Sequence, residues 1–197
     1  MSPPSAVRRP RGVALGDLLV ASVALLVVSP ILLVALIAIR LESRGSAIFK
    51  QRRVGRDGVP FDLYKLRTMA VGSDRGPDVA LAKDDPRITK TGAFLRRYSL
   101  DELPNLVNVL RGEMAIVGPR PTIPSQVERY TEHQRRRLEV KPGLTGWAVV
   151  NGRVSLEWPE RIELDIWYVD HRSLWLDARI LAKTVWLLVS GHGLYSG

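Results

Sequence analysis

From Val13 to Ile39 this chain carries a single charge, Asp17. As a straight helix, at 1.5 Å per residue, the run would reach roughly 40 Å, enough to cross a bilayer. A cleaved signal peptide fits poorly, because the run is too long for an h-region and Arg40-Leu41-Glu42 follows in place of small residues. Two features argue against a plain transmembrane span. Ser29-Pro30 falls near the middle, where proline removes a backbone hydrogen bond and Ser29 can satisfy a freed carbonyl. Charge is the other: Arg8, Arg9 and Arg11 precede the run, and Arg40, Arg44, Lys50, Arg52 and Arg53 follow it, so both ends ask for the same side. A helix bent at Ser29-Pro30 that enters and leaves through one leaflet satisfies both constraints, and this re-entrant reading is preferred to the spanning one.

Composition narrows the chemistry. The chain has 197 residues, room for one domain of ordinary size and at most an appendage. With 29 Lys+Arg against 20 Asp+Glu it carries a net charge of +9, which favours polyanions: nucleic acid, anionic lipid or phosphorylated substrates. Hydrophobic residues make up 46%, so intrinsic disorder is excluded. The absence of cysteine excludes disulfides, zinc ribbons, iron–sulfur clusters and thiol nucleophiles. His133, His171 and His192 lie too far apart for a helical metal motif, so any metal is expected on carboxylates, as a hard cation such as magnesium.

Along the chain, Phe49 to Val54 and Val59 to Leu66, joined by Gly55-Arg56-Asp57-Gly58, read as a β-hairpin. Ala70 to Thr91 reads as a surface loop. Leu103, Leu106, Val107 and Leu110 recur at helical spacing up to Gly112, which places Asp101 and Glu102 at or just before a helix N-terminus. Gly118-Pro119-Arg120-Pro121 is a stiff connector, and a polar helix is expected from about Pro124 to Leu138. Pro159 can open a helix that buries Ile162, Ile166 and Val169, and a last helix runs from about Leu174 to Val189. Its Trp175 and Trp186 look like interfacial anchors; Trp147 and Trp158 suit core packing equally well. The fold class expected is α+β and mostly helical, with the re-entrant helix broken at Ser29-Pro30, a small β-hairpin and several amphipathic or interfacial helices.

Adjacent Asp101 and Glu102 at a helix start are by themselves weak evidence, since Ser99-Leu100-Asp101-Glu102 has capping-box spacing. Phosphate-type donors nearby strengthen the case: Arg96 and Arg97 upstream, Arg120 held between two prolines, and Lys65 and Arg67 on the hairpin. No phosphate-binding P-loop, dinucleotide fingerprint, serine elbow or His-Glu-x-x-His motif is present. His133 and His171 read as ordinary surface residues.

Five ordered motifs then carry a resemblance: Phe49-Lys50-Gln51-Arg52-Arg53-Val54-Gly55, Lys65-Leu66-Arg67-Thr68-Met69, Ser99-Leu100-Asp101-Glu102-Leu103-Pro104-Asn105, Val117-Gly118-Pro119-Arg120-Pro121 and Pro142-Gly143-Leu144-Thr145-Gly146-Trp147. From about Val13 to Tyr195 the chain resembles the bacterial sugar transferases, the monotopic phosphoglycosyl transferases. The resemblance implies transfer of a phosphosugar from a UDP-sugar to polyprenyl (undecaprenyl) phosphate with release of UMP, at the cytoplasmic face of the bacterial inner membrane, initiating a lipid-linked glycan. It implies three segments: a basic N-terminal stretch 1–12, a re-entrant helix 13–40 and a membrane-associated catalytic domain 41–197. Asp101 resembles the nucleophile, forming an aspartyl phosphosugar in a ping-pong mechanism, and Glu102 the ligand of Mg2+; Arg96, Arg120, Lys65 and Arg67 would hold phosphate oxygens. Partners implied are the donor, the acceptor and membrane lipid, without nucleic acid and with room for a homodimer. The length suggests a minimal form of the family. Val149 stands where the family often has glutamine, a difference that bears on donor specificity.

Two rival readings stay open at this level. A membrane-tethered basic nucleic-acid-binding or regulatory protein would use Arg135-Arg136-Arg137, although these lack interleaved aromatics. A phosphohydrolase would use Asp101 with water as acceptor.

Overall fold

The computed structural model describes residues 11–72, 85–152 and 156–190. The basic stretch 1–10, most of the expected loop 70–91, and Arg153, His192 and Tyr195 lie outside the described residues. Among the described residues the protein is mostly helical, with two small sheets and a single helix long and apolar enough for a membrane.

That helix, α1, runs from Arg11 to Glu42 without interruption, with Pro30 inside it. The helix continues through the Ser29-Pro30 pair at which the bend is expected, and there the side chain before the proline supplies a donor that the backbone lacks. Pro30 has no N–H for the carbonyl four residues back, that of Leu26, and the Ser29 hydroxyl donates to this same carbonyl at 2.8 Å. One face of α1 packs on the domain along most of its length. Ala21, with Ala24, Leu25 and Val28, joins a cluster containing Leu106, Val109, Met114, Leu176 and Ile180. Ala35 and Ile39, with Leu32 and Leu36, join a second cluster of Ala47, Leu66 and Leu95. Small residues let the helix approach closely at Ala21 and Ala35. The opposite face leaves Leu19, Val23, Leu26, Val27, Val34 and Leu41 exposed. Asp17, the one charge of the run, faces inward and accepts from the Ile116 amide at 3.2 Å.

The hairpin forms as expected. Strands β1 (Ile48–Val54) and β2 (Pro60–Leu66) pair antiparallel from Ile48↔Leu66 to Val54↔Pro60, and Asp57 and Gly58 take the positive φ values that the reversal needs. Helices α2 (Lys90–Arg97) and α3 (Asn105–Leu110) follow, with Gly112 at φ 74° ending the second, as the sequence suggests.

A parallel pair absent from the sequence reading, β3 (Ala115–Val117) with β4 (Gly143–Thr145), joins the Gly-Pro-Arg-Pro segment to the Pro-Gly-Leu-Thr-Gly-Trp segment. Glycine makes this possible: a Cβ at Gly143 would sit 2.1 Å from the Gly118 nitrogen, and one at Gly146 would sit 2.2 Å from the Gly118 oxygen. The polar helix expected over 124–138 is instead three pieces: α4 (Pro124–Val127), α5 (Glu132–Arg135) and a 3-10 turn over Arg136–Leu138. Thr131 starts a new capping box with Gln134, so the chain restarts there rather than continuing. A short α6 (Trp147–Val150) leads to α7 (Trp158–His171), which buries Ile162, Ile166 and Val169, and to α8 (Leu174–Ser190).

Trp175 and Trp186 on α8 are exposed. Trp147 stacks on Trp167, which stacks in turn on His171, and Trp158 covers the Arg137 guanidinium.

Candidate active site

The site is built where α2, β2 and the segment after β3 converge on the turn before α3. Asp101 and Glu102 occupy a 3-10 turn, Leu100–Glu102, entered through Ser99 in the left-handed region at φ 55°. Ser99 makes no side-chain cap, so the capping-box reading of this tetrad fails. The Glu102 carboxylate is instead turned toward two cations: Lys65 Nζ from β2 lies 3.0 Å from its Oε1, and Arg120 Nη2 lies 2.6 Å from the same oxygen. Burial alone would push the Glu102 carboxyl up, but Arg120 and Lys65 outweigh it and hold the group well below the usual carboxylate range. Asp101 behaves oppositely. Burial, then the neighbouring Glu102 charge, push its carboxyl up, and Lys65, Arg96 and Arg120 offset this only in part. The dyad thus pairs one firmly ionised carboxylate with one more basic neighbour.

Arg96, in the last turn of α2, contributes positive potential at Asp101, and its Nη1 is buried without a hydrogen-bond partner. A buried, unpaired guanidinium nitrogen beside a carboxylate is suited to an incoming anion. Arg120 is fixed through its backbone. Its carbonyl accepts from Arg137 Nη2 at 3.1 Å, and Arg137 is itself held by Asp165 and the Tyr130 hydroxyl. Arg137 and Asp165 are both 3% exposed, a buried ion pair inside the domain.

Of the residues singled out in the sequence, Asp101, Glu102, Lys65, Arg96 and Arg120 are thus brought together. Arg67 is taken up elsewhere: its guanidinium is buried and donates to the carbonyls of Ser43 and Arg44 and to the Ser43 hydroxyl, closing the C-terminal end of α1. From the other side Glu42, the last residue of α1, accepts from the Lys90 and Thr91 amides and so caps α2. The basic triplet is also dispersed, since Arg137 is internal and Arg136 pairs with Asp170 and Glu139. The continuous stripe needed by the nucleic-acid reading is not formed by these three. Arg53 and Asn105 have no site role in the sequence reading; both line a shallow concavity, open to solvent, with Lys65, Glu102, Arg120 and Leu144.

Among the described residues no three His, Asp or Glu side chains gather into a metal cage. Magnesium rarely uses one; it takes one or two carboxylates with water and substrate phosphate. The dyad fits that mode. Glu102 is held toward its ionised form, its Oε2 has a 3.4 Å contact from Arg120, and the Glu102 charge that adds to burial in raising Asp101 is what a cation would offset.

The site thus sets a carboxylate dyad among Lys65, Arg96 and Arg120, on a domain packed against the one described helix long and apolar enough for a membrane. The chain belongs to the family described as bacterial sugar transferase, whose sequence profile matches residues 12–191. It is 46% identical over 178 residues to the uncharacterized sugar transferase EpsL of Bacillus subtilis, covering 90% of this chain and 87% of that protein. It is 44% identical over 188 residues to the UDP-glucose:undecaprenyl-phosphate glucose-1-phosphate transferase of Caulobacter vibrioides, covering 91% of this chain and 70% of the relative. The Escherichia coli protein of the same name is 44% identical over 177 residues, covering 86% of this chain and 38% of its own length, so the chain spans well under half of that relative.

Proposed function

We propose that this protein transfers a phosphosugar from a UDP-sugar to undecaprenyl phosphate, releasing UMP, through a covalent intermediate on Asp101. The observation that carries the reading is the dyad itself: a carboxylate made more basic by burial and by its neighbour, set among Lys65, Arg96 and Arg120.

A carboxylate attacking a diphosphate must overcome repulsion between anions. Lys65, Arg96 and Arg120 supply the compensating charge, and Arg96 offers a donor with no internal partner to satisfy first. In the first half-reaction an Asp101 oxygen attacks the sugar-bearing phosphorus, the bond to the bridging oxygen breaks, and UMP leaves with that oxygen. In the second, a phosphate oxygen of the polyprenyl acceptor attacks the same phosphorus, the bond to Asp101 breaks, and the carboxylate returns. Glu102 would hold magnesium, which when bound would neutralise charge on the departing phosphate. Lys65 and Arg120 then exchange part of their hold on Glu102 for phosphate oxygens.

The decisive experiment omits the acceptor. Enzyme with UDP-sugar and magnesium should release close to one UMP per active site and stop, with a mass increase on the peptide containing Asp101. UMP release that requires polyprenyl phosphate, with no trapped adduct, would make transfer direct. Steady UMP release without acceptor would favour a phosphohydrolase. Chelation is expected to abolish turnover, and Glu102→Gln to weaken magnesium dependence; unchanged use of magnesium by that variant would remove Glu102 from the metal.

The re-entrant placement of α1 at the cytoplasmic face is part of the same proposal. It is supported by basic residues on both flanks and by the packing of both halves of α1 on one domain, which a span leaving through the far leaflet would not need. The exposed Trp175 and Trp186 of α8 are placed at the lipid interface on the same reading.

A further inference from the structure

Two asparagines, one turn apart on α3, are both buried and differently treated. Asn108 is fully enclosed and satisfied: its Nδ2 donates to the Asp62 carbonyl and to Glu113 Oε2, each at 2.7 Å, and its Oδ1 accepts from the Tyr64 amide at 3.1 Å. It holds α3 to the hairpin. Asn105 is 3% exposed, yet its Oδ1 has no hydrogen-bond partner. An unmet buried acceptor destabilises a fold, so its place needs a reason beyond packing.

The surroundings say what would satisfy it. Asn105 lines the same concavity as Lys65, Glu102 and Arg120. Cationic donors dominate that wall, and the Glu102 oxygens already accept from Lys65 and Arg120. A bound diphosphate brings only more acceptors, and these go to the cations. The Asn105 oxygen needs a donor, and among the parts of a nucleotide sugar beside a phosphate the donors are hydroxyl groups. Asn105 also opens α3 three residues after Glu102, so it is carried by the same rigid turn as the dyad.

We propose that the Asn105 carboxamide oxygen accepts a hydrogen bond from a hydroxyl of the sugar being transferred, making Asn105 a specificity-determining residue. This rests on the reading of the site as a phosphosugar transferase. A site that contributes a buried acceptor discriminates against a ligand lacking the matching hydroxyl, because the acceptor is then left unmet in the complex.

The test is a cycle between side chain and substrate, read by UMP release in full-length enzyme in lipid nanodiscs. First, a panel of UDP-sugars finds the donor that the parent uses, and single-deoxy analogues of it are then compared. One analogue should be used about 10- to 100-fold less well by kcat/KM. In Asn105→Leu, close to isosteric, the parent donor should fall by a similar factor while that analogue falls little, so discrimination collapses toward unity. Asn105→Gln retains the carboxamide and should keep part of the preference. Thermal melting and magnesium titration accompany each variant. Full discrimination retained by Asn105→Leu would overturn the proposal while leaving the transferase reading intact. A shifted magnesium requirement with unchanged sugar preference would also overturn it, assigning the oxygen to metal-bound water. Should Asn105→Leu fail to fold, discrimination by Asn105→Gln and Asn105→Ser decides: if both match the parent for every analogue, the proposal falls. No UMP release by the parent from any UDP-sugar would sink the underlying function instead.

Discussion

Asp101 and Glu102 are adjacent and chemically alike, and their surroundings drive them apart. Asp101 has its carboxyl raised by burial and by Glu102, so its ionised form is a cost to the fold at neutral pH. That cost is fully present above the folded-state pKa and disappears as the pH falls below the ordinary carboxylate range. Asp101→Asn is therefore expected to melt higher than the parent at pH 7 and equally at pH 3, while losing at least about 10³-fold in UMP release. Melting curves at the two pH values check the sign. Glu102 runs the other way: its lowered carboxyl contributes stability at neutral pH that is lost as the pH falls through the folded-state value. Arg137 makes a different prediction. Arg137→Met leaves Asp165 buried without its partner and should destabilise by about 3–5 kcal/mol, with much of the loss recovered in Arg137→Met/Asp165→Leu. Chemical denaturation of the three variants measures it.

At the scale of elements, legibility in the sequence followed from how local the cause was. The hairpin, α7, α8 and the position of the dyad before α3 could be read because turn residues and apolar spacing lie within each segment. The β3–β4 pair could not, since it depends on Gly118 meeting Gly143 across intervening chain, and three-residue strands carry no period. Arg67 was misplaced for a related reason: composition shows an arginine near phosphate binders, but only the fold shows it closing α1. Gly143→Ala is accordingly expected to abolish folded protein, whereas Gly16→Ala, with nothing within 4 Å of its added carbon, should be silent in a melting assay. The Ser29 hydroxyl gives a cleaner test. Ser29→Ala should cost about 1 kcal/mol beside Pro30, and close to nothing in Pro30→Ala, where the Leu26 carbonyl regains its backbone donor.

Over the whole molecule, α1 is both the one described helix long and apolar enough for a membrane and an inner wall of the domain. Tags at Ser2 and after α8 should be accessible only from the cytoplasm; an N-terminal tag reached from the other side would overturn the re-entrant placement. Removing α1 should not yield a soluble domain, because it uncovers Leu66, Leu95, Leu106 and Val109 together. The same packing sets an order of events during biosynthesis. Ala21 shares its cluster with Leu176 and Ile180, so α1, synthesised well before α8, must wait for it. Until α8 arrives, the hairpin, α2 and α3 can already lie against α1, while the side of the cluster that Leu176 and Ile180 close stays open, so the seal of this wall is the last part of the fold to form.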